Sequence, residues 1–426
     1  MITVGVASAS MIAWSPISVR GEYGLTVPML ALTAAIGFEV VSGRMPRHVL
    51  GVAFRWTTSP LALWVIASTV LIPLVFAGTA VFRTAEGQVP LGLGARNFFH
   101  LAQLGVFAAI AGFIGHLANS GGVKRRQLAR SFVASGWVCA AFGVLQVSYN
   151  LGWLPEVERL FNNPSFAHNP GQRISESIPR LSALLVEPSF AAAFIAGYTA
   201  FVAMLFVGRS CVASQTTLGV STGLGVLMLA ATASTTGAVG LGTVLASLLF
   251  ARRGRTIAHD RRALGILVAT IAALVVFVIV AATMLDASIA DGVSEVVTEK
   301  AESDSALSRA EGERLAFETL FATGGLGAGW GSGDAFSLAS SIAVGLGIPG
   351  IALALNALWC RRHELADDEV ARAARTALVV SVLAALASVP QYVLFHFWIL
   401  CGLGLRPRIA PLSGTSAQSP GILLTP

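Results

Sequence analysis

The sequence predicts an all-α fold: a polytopic membrane bundle of about twelve spans, with two long, partly ordered loops on its outer side. Three observations lead there. Hydrophobic residues make up 55% of the 426 positions and charged residues only 12%, with mean hydropathy +0.74. Soluble chains carry about 25% charged residues, and one soluble core cannot hide this much apolar surface. Apolar runs of span length recur along the chain, and the hydrophilic gaps between them alternate in charge.

The runs fall near 2–19, 24–42, 60–80, 98–119, 131–151, 188–208, 217–233, 236–250, 263–285, 335–359, 376–391 and 392–406. The N-terminal stretch "MITVGVASASMIAW" lacks the basic region of a cleaved signal peptide, so it reads as the first span. The run over 217–250 is broken by "TASTTG" at 232–237, which predicts two short spans or a re-entrant pair. One set of gaps is basic: Arg44, Arg47 and Arg55, "KRRQLAR" (124–130), Arg209, "RRGRTIAHDRR" (252–262), "RRHELADDEVARAAR" (361–375), Arg406 and Arg408. These hold most of the 28 basic residues, and the positive-inside rule puts them in the cytoplasm together with both termini. The polar tail at 410–426 is then cytoplasmic.

In such a chain the net charge of +6 belongs to the loops, and it is no sign of a nucleic-acid partner. Cys139, Cys211, Cys360 and Cys401 form no disulfide framework, and no Cys/His spacing suggests a metal. No cofactor is expected.

Residues 152–187 and 286–334 become the two large outer loops of a single membrane domain, 1–426. Long connections between spans are usually functional or disordered. The first ends in "RLSALLVEPSF", which places Arg180 and Glu187 at the mouth of a span. A charge at bilayer depth costs about 2.5–3.5 kcal/mol on insertion scales. Pro188 suits the first helical position, so Glu187 stands at the N-cap, where its carboxylate can meet orphan N–H groups. Arg180 has no such account. A helical hook over the intervening "LSALLV" would put Arg180 and Glu187 on one face. The arginine then either ties the loop to the bundle or grips an anion at the membrane surface, a task suited to its planar fork.

In the second loop, "SDSALSRAEGERLAFETLF" predicts an amphipathic helix with Arg309–Glu313 and Arg314–Glu318 as i,i+4 pairs. It runs into "GGLGAGWGSGD" (324–334), whose glycines let backbone approach a ligand closely. This is no Walker motif, since no Gly-Lys-Ser/Thr follows. His168, in "FAHNPGQR", is the most accessible outer histidine; His396 reads as a buried hydrogen-bonding group.

At these two loops the sequence resembles the O-antigen polymerase (Wzy-type) and O-antigen ligase superfamily. The resemblance is carried by Arg180, "LSALLV" and Glu187-Pro188-Ser189, and by Ser308-Arg309 ahead of Gly327-Ala328-Gly329. "GLGIPGI" (345–351) and the "STTG" break (234–237) extend it over roughly residues 130–405. The ligases carry a histidine just after the Gly-x-Gly; here "WGSGDAFSLASS" has none, which favours a polymerase. The break also lacks the family's arginine.

The resemblance implies a glycosyltransferase of GT-C-like architecture in the bacterial inner membrane, with a periplasmic active site. Its substrate would be oligosaccharide linked to polyprenyl diphosphate, and its partners a flippase and a chain-length regulator. Arg180 and Arg309 would neutralise the leaving diphosphate, and Glu187 would be either the general base or an orienting partner for Arg180. Arg314, Arg173, His168, Gly327 and Gly329 complete the expected substrate-binding set. The alternatives are ligase-type transfer to lipid A core or protein and, in another class, a transporter or flippase. Transporters place charge at the midplane, where this chain has little besides Glu39.

Overall fold

Pro188 opens the helix around which the others pack. The computed structural model describes residues 1–11, 17–19, 23–43, 59–83, 86–154, 173–175, 178–185, 187–250, 265, 304–360, 368–386, 389 and 394–404. In chain order its helices are α1 (Ile2–Ala7), α2 (Val27–Val41), α3 (Pro60–Val75), α4 (Ala95–Asn119), α5 (Gly122–Asn150), α6 (Pro188–Val207), α7 (Gln215–Ala231), α8 (Thr235–Phe250), α9 (Asp304–Ala322), α10 (Leu338–Cys360), α11 (Glu369–Leu386) and α12 (Phe395–Gly404). Sheet among the described residues is confined to three short antiparallel hairpins: β1 (Ile17–Val19) with β2 (Tyr23–Leu25), β3 (Ala80–Arg83) with β4 (Gly87–Pro90), and β5 (Arg173–Ser175) with β6 (Ile178–Pro179).

Among the described residues four helices, α4, α5, α6 and α10, are long and apolar enough to cross a membrane; α2, α3, α7, α8 and α12 are shorter apolar helices. The described fold is therefore all-α and of membrane type, but its helix ends differ from the expected runs. Among its described residues, the run near 2–19 is helical over Ile2–Ala7 and holds strand β1 at Ile17–Val19. The run near 376–391 belongs to a helix that already starts at Glu369, and α5 takes in the basic stretch 124–130. Hydropathy marks apolar side chains, whereas Lys, Arg and Glu prolong a helix into water readily. The break at 232–234 separates α7 from α8, two short helices that both pack on α6. The span expected at 263–285 and the tail at 410–426 lie outside the described residues, as do most of 152–187 and residues 286–303.

Helix α6 is apolar on every side, the pattern of a helix buried all round. Residues Pro188–Ala203 of it are buried without exception. Its neighbours are α5, α7, α8 and α11. Small residues bring these backbones close, as membrane helices require. Gly136 of α5 lies under Tyr198, Gly225 of α7 faces Thr199, Gly240 of α8 faces Ala196, and Gly197 of α6 faces Ser381 of α11. Polar glue is added at one point, where the Ser381 hydroxyl donates to the Ala193 carbonyl at 2.6 Å and sits 2.6 Å from His396 Nε2 of α12. His396 is thus the buried hydrogen-bonding group expected of it.

A second group of elements holds α3, the β3–β4 hairpin, α9 and α10. Its keystone is a break in α10 at Gly347 (φ 64°), two residues before Pro349. The interrupted backbone finds new partners. Trp64 of α3 donates its indole N–H to the Leu346 carbonyl at 2.7 Å, and Ile348 N–H reaches the Gly325 carbonyl at 2.8 Å. Ala328 N–H completes the seam on the Val344 carbonyl at 2.7 Å. The glycine-rich loop thus docks in the broken helix. Gly329 has φ 83°, and a Cβ there would lie 2.6 Å from the Ser68 carbonyl of α3. Gly329→Ala is expected to destabilise by about 2–4 kcal/mol, from the left-handed backbone and the clash together. The check is a lowered thermal midpoint for the purified protein.

Candidate functional site

The site forms where the start of α6, the α7–α8 break and the first turns of α9 meet. Glu187 is the N-cap of α6, with extended backbone (φ −141°, ψ 159°) ahead of Pro188. Its carboxylate makes no capping bond. Instead Glu187 Oε2 accepts from Ser189 Oγ at 3.3 Å and pairs with Arg309 Nη2 of α9 at 3.5 Å. The capping role expected of this carboxylate is therefore not taken up. Pro188 at the first helical position has no N–H, which leaves one fewer backbone donor at this end.

Arg180 reaches the same place by a different route from the one expected. No helical hook forms: residues 181–185 make a non-helical turn, with Ala183 in the left-handed region at φ 50°. The turn is pinned by Leu181 N–H on the Ala231 carbonyl at 3.0 Å. Arg180 Nε then donates to the Thr232 carbonyl at 3.3 Å. Thr232 belongs to the break whose "STTG" starts α8, and Ser234 Oγ accepts from Gly237 N–H there at 2.9 Å. The N-terminal ends of α6 and α8, both positive dipole ends, thus lie beside the Arg180 turn.

Burial, and next the like charge of Arg309, hold the Arg180 guanidinium below its ordinary pKa, and the charge of Glu187 acts in the opposite direction. Both guanidinium groups thus lie within electrostatic reach of the Glu187 carboxylate, which is paired with Arg309. Arg309 and Glu187 keep about two fifths of their side chains exposed, at 40% and 37%, so the pair is reachable by a ligand. An anion entering here would meet planar, bidentate donors that do not deprotonate.

The expected catalytic residues Glu187, Arg180 and Arg309 are therefore gathered by the fold. The others fall elsewhere. Arg314 points to solvent and pairs with Glu311 and Glu318; its hydrogen bond to the Glu311 carboxylate, then the charge of that carboxylate, raise its pKa further. The expected Arg309–Glu313 pair is replaced. Arg309 turns to Glu187, while Glu313 accepts from Phe336 N–H at 2.8 Å and from Ser340 Oγ at 2.8 Å. Glu313 faces the start of α10, where unpaired backbone donors outbid a surface guanidinium. Gly327 and Gly329 turn their Cα faces to Val344 and Ser68, so their close approach is to helix backbone of the chain itself. The Arg173 backbone pairs with Pro179, directly before Arg180. His168 lies outside the described residues.

Two participants were missed in the sequence: the Thr232 carbonyl and the Ser189 hydroxyl. A carbonyl leaves no sequence signal, and Ser189 stands there only as part of the Glu187-Pro188-Ser189 motif, with no role given to its hydroxyl. No family model, no curated protein and no solved structure matches this chain.

Proposed function

We propose that the chain is a membrane glycosyltransferase that polymerises oligosaccharide repeat units carried on polyprenyl diphosphate, forming an exopolysaccharide or O-antigen. In this reading it works at the outer face of the bacterial inner membrane, with both termini cytoplasmic and about twelve spans in a GT-C-like arrangement. A flippase supplies its substrate and a chain-length regulator acts beside it. The carrying observation is the meeting of Arg180, Glu187 and Arg309, the last two being 122 residues apart in sequence.

The chemistry asked of these groups is modest. An acceptor sugar hydroxyl attacks the anomeric carbon of the growing chain, the carbon–oxygen bond to the diphosphate breaks, and the lipid diphosphate leaves with the bonding electrons. Charge accumulates on the leaving phosphate oxygens, where two guanidinium groups and two helix N-termini stabilise it. Glu187 takes the hydroxyl proton or orients the arginines. The partial exposure of its carboxylate leaves room for an acceptor hydroxyl beside it.

Reconstitution tests this directly. Purified protein in liposomes, given the lipid-linked oligosaccharide pool extracted from the same cells, is expected to build a ladder of polymer without any nucleotide sugar. No ladder, with transfer only to an added lipid A core acceptor, would identify a ligase instead. The orientation has its own check. Cys211 is exposed on the loop after α6 and is expected to resist membrane-impermeant maleimide applied to intact spheroplasts, whereas a Glu311→Cys variant labels at once.

A further inference from the structure

Gln146 sits near the end of α5, in the otherwise apolar stretch "AAFGVLQV" (140–147), and is 1% exposed. A buried amide in a membrane helix must find partners. Four of its hydrogen bonds go to the turn that carries Arg180. Gln146 Oε1 accepts from Ser182 N–H at 2.9 Å and from Ala183 N–H at 2.8 Å. Gln146 Nε2 donates to the Arg180 carbonyl at 3.1 Å and to Ser182 Oγ at 3.0 Å. One side chain thus satisfies three backbone groups that a helix or strand would otherwise pair, and the Ser182 hydroxyl besides. One turn earlier on the same face, Gly143 makes room for Leu181, since a Cβ there would lie 2.6 Å from Leu181 Cδ1.

The turn needs this support. Ala183 holds a left-handed conformation (φ 50°), which costs an L residue about 1–2 kcal/mol. Such strain persists only where surrounding structure over-determines it. With the amide removed, Ser182 and Ala183 would carry unpaired buried N–H groups, and the turn would relax toward the helical hook its sequence favours. The Arg180 side chain would then leave the Thr232 carbonyl and the Glu187–Arg309 pair.

We propose that Gln146 is a positioning residue: it holds the Arg180–Ala183 turn in its strained form and so aims the Arg180 guanidinium into the anion site. The proposal rests on the reading of Arg180 and Arg309 as diphosphate ligands. It adds a residue on a different helix, α5, that acts only through Arg180.

The test uses the full chain in lipid nanodiscs and inorganic pyrophosphate as the probe, read by calorimetry, with the thermal midpoint measured in parallel. Gln146→Met keeps the side-chain volume and loses all four bonds; pyrophosphate affinity is expected to fall about tenfold or more, the scale of a lost bond to a charged group. Gln146→Glu still accepts from Ser182 and Ala183 and is expected to bind with intermediate affinity. Adding Gln146→Met to Arg180→Ala should cost no further affinity. Adding Ala183→Gly to Gln146→Met should restore part of it, because glycine holds the left-handed turn unaided. A purely structural role would shift the thermal midpoint without this pattern. Wild-type affinity in Gln146→Met, or a further loss on top of Arg180→Ala, would overturn the positioning role alone. Wild-type protein that fails to bind pyrophosphate, or Arg180→Ala that binds like wild type, would overturn the reading of the site and the positioning role with it.

Discussion

Arg180→Ala is expected to abolish long polymer while single repeat units persist on their lipid carrier. The reason is the division of labour in the site. Arg180 is partly buried, and burial together with the like charge of Arg309 lowers its pKa, so an anion bound between the two guanidinium groups would relieve their repulsion. Interactions that strengthen as charge develops lower the barrier, and removing one such donor costs about 100–1000-fold in rate. Arg180→Lys is expected to fail as well. A point charge cannot donate to the Thr232 carbonyl and grip a phosphate in a planar fork at once. Polymer length on a gel, beside the pool of lipid-linked units, reads the outcome. Normal length in the lysine variant would mean that charge alone suffices.

Arg309→Ala should produce the same loss of long polymer with almost no loss of stability. Its pair with Glu187 is 3.5 Å long, with side chains 40% and 37% exposed. An exposed pair contributes about 0–1 kcal/mol, reduced further by solvent screening. A large fall in activity beside an unchanged thermal midpoint therefore separates a ligand from a structural tie. If instead the midpoint drops and some polymer remains, the pair mainly clamps α9 onto the start of α6. The double variant Arg180→Ala/Arg309→Ala adds a check. Two groups that act on one leaving group should show strong non-additivity, with the double change little worse than either single one.

Much of this arrangement was legible before any coordinates. The amphipathic helix over 303–321 appears as α9, and the glycine punctuation after it ends that helix on schedule. Pro188 at the first position of α6 reads directly from the sequence, because its missing N–H suits no other helical position so well. The separation of α7 from α8 was visible in "TASTTG", a short polar break between two apolar runs.

Other features were decided at a distance. The seven-residue spacing of Arg180 and Glu187 suggested a helical hook over "LSALLV", yet Gln146 and the Ala231 carbonyl bind its backbone in a turn, and the Thr232 carbonyl takes the Arg180 side chain. Spacing suggested Arg309–Glu313, yet Glu313 meets denser demand from the backbone and hydroxyls at the start of α10. The glycines of 324–331 looked suited to a ligand, but the break at Gly347 supplies a backbone partner that only the folded chain brings near.

The sequence alone determined that this chain is built of apolar helices and that its unusual charges are Arg180, Glu187 and Arg309, because composition and local helix rules act within a few residues. Which of those charges meet was decided only in the tertiary structure. Contacts such as Arg309 to Glu187 and Arg180 to Thr232 depend on how α6, α8 and α9 pack, and that packing is set by small residues and buried polar groups far apart in sequence.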